Sequence, residues 1–130
     1  MKYLMLIYTD EAEMSREDPG EMDAHLAVGA EAMARGKYVA CEALQPPAVA
    51  TTIRVRGGET LIADGPFAET KEVLGGFYLL DCADLDEAIS YARRIPPAAW
   101  GSIEIRPVYE MPEWDSAVRE AAGKLAPAAG

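Results

Sequence analysis

Lys2-Tyr3-Leu4-Met5-Leu6-Ile7-Tyr8 is almost continuously apolar. A half-exposed strand would alternate; an unbroken run of this length predicts an interior strand covered on both faces. It stops at Thr9-Asp10 without a small-residue cleavage site, so it reads as a strand and not as an export signal. After a polar stretch, Asp18-Pro19 predicts a helix start, with Asp capping free amides and Pro at the first position. Met22, Leu26, Gly29 and Met33 then fall on one stripe at helical spacing, and Gly36 supplies a terminating residue. The first helix is expected from about Pro19 to Arg35.

Tyr38 to Leu44 reads as a strand broken by Gln45-Pro46-Pro47. Thr51 to Arg56 alternates, and Arg56-Gly57-Gly58-Glu59 is a two-residue hairpin signal returning the chain into Thr60 to Asp64. Val73 to Asp81 is a further buried strand in which Gly75-Gly76 marks a bulge or a close backbone approach. Asp84 with Glu87 three residues on opens a second helix through Arg94, and Ser102 to Val108 closes the pattern. The order is β-α-β, hairpin, β-α-β: an α+β chain on the split β-α-β plan with an inserted β-hairpin. Strands apolar on both sides, with helices on one sheet face only, require a second cover, and a homodimer supplies it. The tail from Glu113 is expected to add a short helix, Asp115 to Lys124, and then to fray.

With 130 residues, half of them hydrophobic, the chain builds one core and not two. Its 22 acidic and 12 basic side chains give a net charge of -10, which repels phosphate backbones and anionic membrane surfaces and argues against nucleic-acid and membrane partners. No stretch approaches the roughly 18 apolar residues of a membrane span. Cys41 and Cys82 lie in strand-like runs, read as core thiols, and point to a reducing, cytoplasmic location. One histidine and two separated cysteines do not make a zinc set, and there is no phosphate-binding glycine loop or serine elbow. No metal and no cofactor are expected.

Three places carry candidate chemistry. His25, the sole histidine, lies about 70° from the centre of the helix stripe, where an imidazole either faces a helix-sheet crevice as a general acid or base or is an ordinary boundary residue. Glu42 interrupts Val39-Ala40-Cys41-Glu42-Ala43-Leu44: either it is paired in a cavity or it stands on an open sheet edge. Asp64-Gly65-Pro66-Phe67 and its continuation through Glu69, Lys71 and Glu72 put dense charge on a turn at a strand end, either a pocket mouth or a solvated turn.

The same stretch, Asp64 to Glu72 followed by Gly75-Gly76-Phe77-Tyr78, resembles the signature of YCII-related proteins of the DGPF type. The resemblance extends from Lys2–Tyr8 through Glu42-Ala43-Leu44-Gln45-Pro46 to Gly101–Pro107. It implies a ferredoxin-like, dimeric α+β barrel over residues 1–112, with 113–130 as a C-terminal extension. It also gives the signature segment, including Phe67, Glu69, Lys71 and Glu72, the standing of a ligand-binding element. Ala24-His25-Leu26 resembles the histidine segment of the shorter YCII proteins, which pair it with the aspartate of an Asp-Pro after the second helix; here that place reads Arg94-Ile95-Pro96-Pro97. Asp64 or Glu42 is the candidate replacement. Two functions follow as expectations: a small-molecule enzyme using His25 with Asp64 or Glu42 in acid-base chemistry, or a non-catalytic ligand-binding or regulatory module associated with a sigma factor, whose genes often neighbour those of the family.

Overall fold

β1 (Lys2–Asp10) lies between β5 (Glu72–Asp81) and β6 (Ser102–Pro107), and β2 (Tyr38–Ala43) pairs with the far side of β5. The computed structural model describes residues 1–14, 18–125 and 127. All three pairings are antiparallel, giving the order β2-β5-β1-β6. α2 (Glu21–Ala34) connects β1 to β2, and α3 (Leu85–Ala92) connects β5 to β6. This is the ferredoxin-like split β-α-β arrangement of the α+β barrel class, with β3 (Thr51–Arg56) and β4 (Glu59–Asp64) inserted as a separate two-stranded ribbon. α1 (Glu11–Met14) and α4 (Trp114–Gly123) complete the helices. The apolar run at the N-terminus is thus an interior strand, as its lack of alternation requires.

The core forms where alternate residues of β1 and β5, namely Tyr3, Met5, Ile7, Tyr78 and Leu80, meet Val28 and Ala32 of α2 and Ala88, Tyr91 and Ala92 of α3. On the opposite sheet face Leu4 stands beside Leu79 and Leu6 beside Phe77, all half-buried. α3 begins with the expected reciprocal cap: the Glu87 amide donates to Asp84 Oδ1 at 2.9 Å, and the Ala83 amide to Glu87 Oε1 at 3.0 Å. The hairpin turn is Gly57-Gly58, both at positive φ (58° and 79°), as a tight turn matched to strand twist demands.

Two expectations for the first helix are corrected. Its cap position is Gly20, without a side-chain bond, and Asp18 contributes its carbonyl oxygen to the Glu21 amide at 3.1 Å. Its buried stripe is Val28 and Ala32, whereas Met22, Leu26 and Met33 are 69, 61 and 62 % exposed. The small residues win the inner face because α2 lies close against the sheet: Tyr38 sits 3.9 Å from where a Gly29 Cβ would stand. The short turn at α1 was read only as a polar stretch, of which residues 15–17 lie outside the described residues. The expected fraying falls mostly on residues 126 and 128–130, which also lie outside them.

The expected bulge is present. The β1–β5 register shifts between Ile7 and Tyr8, with Ile7 opposite Gly76 and Tyr8 opposite Leu74. The two glycines differ in kind. A Cβ on Gly76 would stand 2.8 Å from the Glu42 carbonyl oxygen, a backbone atom that cannot step aside, whereas one on Gly75 would make an ordinary 3.6 Å contact with the mobile end of Met14. Gly76→Ala is expected to cost about 1–3 kcal/mol in chemical denaturation, and Gly75→Ala much less.

Lys37 Nζ lies 2.7 Å from Glu87 Oε1 and ties the end of α2 to the start of α3. The ammonium, and then the Ala83 amide, hold the Glu87 carboxyl below its ordinary value. A carboxyl depressed by folding stabilises fully above its unfolded pKa and loses that contribution as pH falls through the folded value. Glu87→Gln is therefore expected to flatten the fall in Tm on acidification below about pH 4.5.

Candidate functional site

α2 turns Glu21, His25, Val28 and Ala32 toward the sheet, spaced four, three and four residues apart. Val28 and Ala32 close the core. The first turns of the helix run past it, so Glu21 and His25 overhang the sheet end and line a cavity of about 510 Å³. Met14 of α1, the Gly75-Gly76 bulge, Cys41 to Leu44 at the end of β2, and Pro97 with Trp100 form its other walls. The bulge allows this shape, because a side chain at residue 76 would collide with β2.

Within the cavity wall the imidazole of His25 is held between a phenol and a carboxylate. Nδ1 lies 2.8 Å from the Tyr78 hydroxyl, and the two rings are nearly parallel, 10° apart with centroids separated by 6.1 Å. The same hydroxyl is 3.4 Å from the carbonyl oxygen of His25. On the other side of the ring, Nε2 lies 3.6 Å from Glu21 Oε1, one helical turn back. Tyr78 is 2 % exposed, and burial pushes its phenol far above the usual tyrosine value, so it remains a hydroxyl at any physiological pH. Cys82, 1 % exposed, is a core thiol, and Cys41 packs half-buried against the same core while also lining the cavity. Burial raises the Cys41 thiol, with Tyr78 hydrogen bonding opposing that rise. An imidazole set between a carboxylate and a hydroxyl, beside a cavity of small-molecule size, is an arrangement that can accept or deliver one proton.

Of the residues singled out in the sequence, His25 and Glu42 both line this cavity. Glu42 is exposed, on an edge strand and at the cavity at once. Asp64, Phe67, Glu69, Lys71 and Glu72 are not among its lining residues. Asp64 ends β4, and the turn after it is tied to the hairpin base: the Gly65 amide donates to Ala50 O at 2.7 Å, and the Thr52 hydroxyl to Gly65 O at 2.8 Å. Phe67 is 79 % exposed. Glu72 opens β5 and accepts from the Ser102 hydroxyl at 3.0 Å. The carboxylate beside the imidazole is Glu21, which the sequence reading passed over although its i, i+4 spacing from His25 announces the pair. Tyr78 stands in the sequence as a buried-strand residue at the end of the signature Gly75-Gly76-Phe77-Tyr78, with no chemistry assigned to it. Among the described residues, no group of three or more His, Cys, Asp or Glu is placed to hold a metal ion.

Comparison with known proteins agrees with this architecture. A solved structure, 5-chloro-2-hydroxyhydroquinone dehydrochlorinase (TftG) from Burkholderia phenoliruptrix in complex with 2,5-dihydroxybenzoquinone, superimposes with a TM-score of 0.50 at 14 % identity, covering 85 % of this chain and 96 % of that one. At that identity the likeness is one of fold. An uncharacterised protein of Rhizobium meliloti (strain 1021) is 45 % identical over 114 residues, 83 % of this chain and 92 % of the relative. The model of the YCII-related domain matches residues 1–112. The chain belongs to the YCII-related family.

Proposed function

We propose that the protein is an enzyme acting on a small molecule by proton transfer, with His25 as the acid or base, Glu21 facing its Nε2 and orienting the ring, and Glu42 contributing from the cavity wall. The observation that carries this reading is the Glu21–His25–Tyr78 contact set in the wall of the cavity. Ile7, Met14, Leu44, Pro97 and Trp100 give the cavity an apolar body, and Glu13, Asp18, Glu21 and Glu42 add carboxylates. These disfavour an anion and suit a compact neutral or cationic ligand with a weakly acidic proton. The dehydrochlorinase of the same fold, solved with a quinone, illustrates that this architecture can serve such chemistry. A cytoplasmic location is part of this reading, supported by Cys41 and Cys82 being free thiols.

A homodimer is part of the same reading. Leu4, Leu6, Phe77 and Leu79 give the sheet an apolar face, half-buried and opposite the core helices among the described residues, and a second copy packed on it satisfies both copies at once. A second reading, a module that binds a protein such as a sigma factor without catalysis, draws its support from the hairpin and the signature turn, where Ile53, Ile62 and Phe67 are exposed.

Proton exchange tests the enzyme reading directly. Small ketones and hydroxylated aromatics incubated with the protein in deuterated water are expected to include a compound whose acidic positions exchange, as followed by NMR. His25→Gln should reduce that exchange on the order of 10²-fold or more while leaving binding within a few-fold. Binding in the cavity without exchange by the unaltered protein would favour the module. For the assembly, light scattering at micromolar concentration should report a dimer, and Leu79→Glu should yield a monomer; a monomeric parent protein rules the assembly out.

A further inference from the structure

The Tyr78 hydroxyl has one proton and three acceptors within reach, His25 Nδ1 at 2.8 Å, His25 O at 3.4 Å and the Cys41 sulfur, a weak acceptor. Across the ring, Nε2 faces the Glu21 carboxylate at 3.6 Å. A carboxylate beside a ring nitrogen favours an N–H there over a lone pair. With Nε2 protonated, neutral imidazole presents Nδ1 as an acceptor stronger than the thiol sulfur, and the Tyr78 O–H fills it at 2.8 Å.

We propose that Tyr78 and Glu21 together fix neutral His25 as the Nε2–H tautomer, making Nδ1 the atom that takes up and releases the proton, and that the Tyr78 hydroxyl connects Nδ1 to the cavity. The step balances as follows. A ligand proton passes to the Tyr78 oxygen while the hydroxyl's own proton passes to Nδ1. The ligand is left as its conjugate base, Tyr78 is again a phenol, and His25 is an imidazolium paired with Glu21. Nδ1–H then donates to the Tyr78 oxygen, whose O–H is free to turn toward the ligand or toward His25 O. The reverse order delivers a proton. Burial supports the concerted form, because it disfavours a free phenolate at Tyr78. This inference rests on the proposed acid-base reading for its consequence, but the tautomer is read without any ligand, so the two fail separately.

Because His25 is the sole histidine, the full chain labelled with 15N-histidine gives a single imidazole to follow. At about pH 9, well above the ordinary histidine pKa, the proposal expects Nε2 protonated and Nδ1 unprotonated but shifted by an accepted hydrogen bond, with one slowly exchanging hydroxyl proton coupled to Nδ1. Tyr78→Phe, which keeps the ring in the core, should leave Nε2–H in place, move Nδ1 to the position of an unbonded nitrogen and abolish that coupling. For any compound found to exchange, Tyr78→Phe should lower kcat on the order of 10²-fold at nearly unchanged KM. A wild-type imidazole protonated at Nδ1, an Nδ1 signal unmoved by Tyr78→Phe, or an unchanged kcat would each overturn the proposal. The tautomer and the coupled hydroxyl proton are read on the wild type, so a wild-type spectrum lacking that proton overturns the proposal even if the variant does not fold.

Discussion

The site depends on one extra residue in β5. Strand geometry alternates side chains between faces, so Val73 and Tyr78, an odd number of positions apart, belong on opposite sides of a regular sheet. Both are buried. The irregularity opposite Ile7 and Tyr8 resets the alternation and turns Tyr78 toward the helices, while Leu74 and Phe77 remain on the other face. Without that reset the phenol would not lie under α2, and His25 would have no partner from the sheet. The same irregularity brings Gly76 against Glu42, where only a hydrogen fits. One local departure from ladder geometry therefore places the phenol and shapes the cavity wall.

The backbone plan was legible in the sequence because each element announces itself locally. The uninterrupted run Lys2–Tyr8, the Gly57-Gly58 turn and the Asp84/Glu87 cap each encode geometry within a few residues. The orientation of α2 was not legible. Its larger apolar residues, Met22, Leu26 and Met33, outweigh Val28 and Ala32 in any count of hydrophobicity, yet the smaller pair lies inside. Counting rewards bulk, while the gap between α2 and the sheet selects for small side chains; the gap is a tertiary property.

The site divides in the same way. His25 stood out as the sole histidine at a helix boundary, and Glu42 as a carboxylate in an apolar strand, and both reach the cavity. Glu21 is legible in the sequence, one helical turn from His25. Tyr78 was not within reach: it lies 53 residues from His25, and only the register of β5 decides which way it faces. The conspicuous turn from Asp64 to Phe67 binds first to its own ribbon, through Ala50 and Thr52. The signature therefore divides in space: its turn packs on the ribbon, while Gly75, Gly76 and Tyr78 at its end line the cavity.

The ribbon of β3 and β4 has a consequence of its own. Its twelve residues contribute no buried side chain, and its strands pair with each other and not with the main sheet. A two-stranded hairpin has little independent stability in water. Within a single chain, its amides therefore open and close on a free-energy scale separate from that of the core, so the molecule carries two stability regimes along one backbone. Length and composition in 51–64 are accordingly free to drift without disturbing Met5, Tyr78 or Leu80, and contact with another surface is what would merge the two regimes into one.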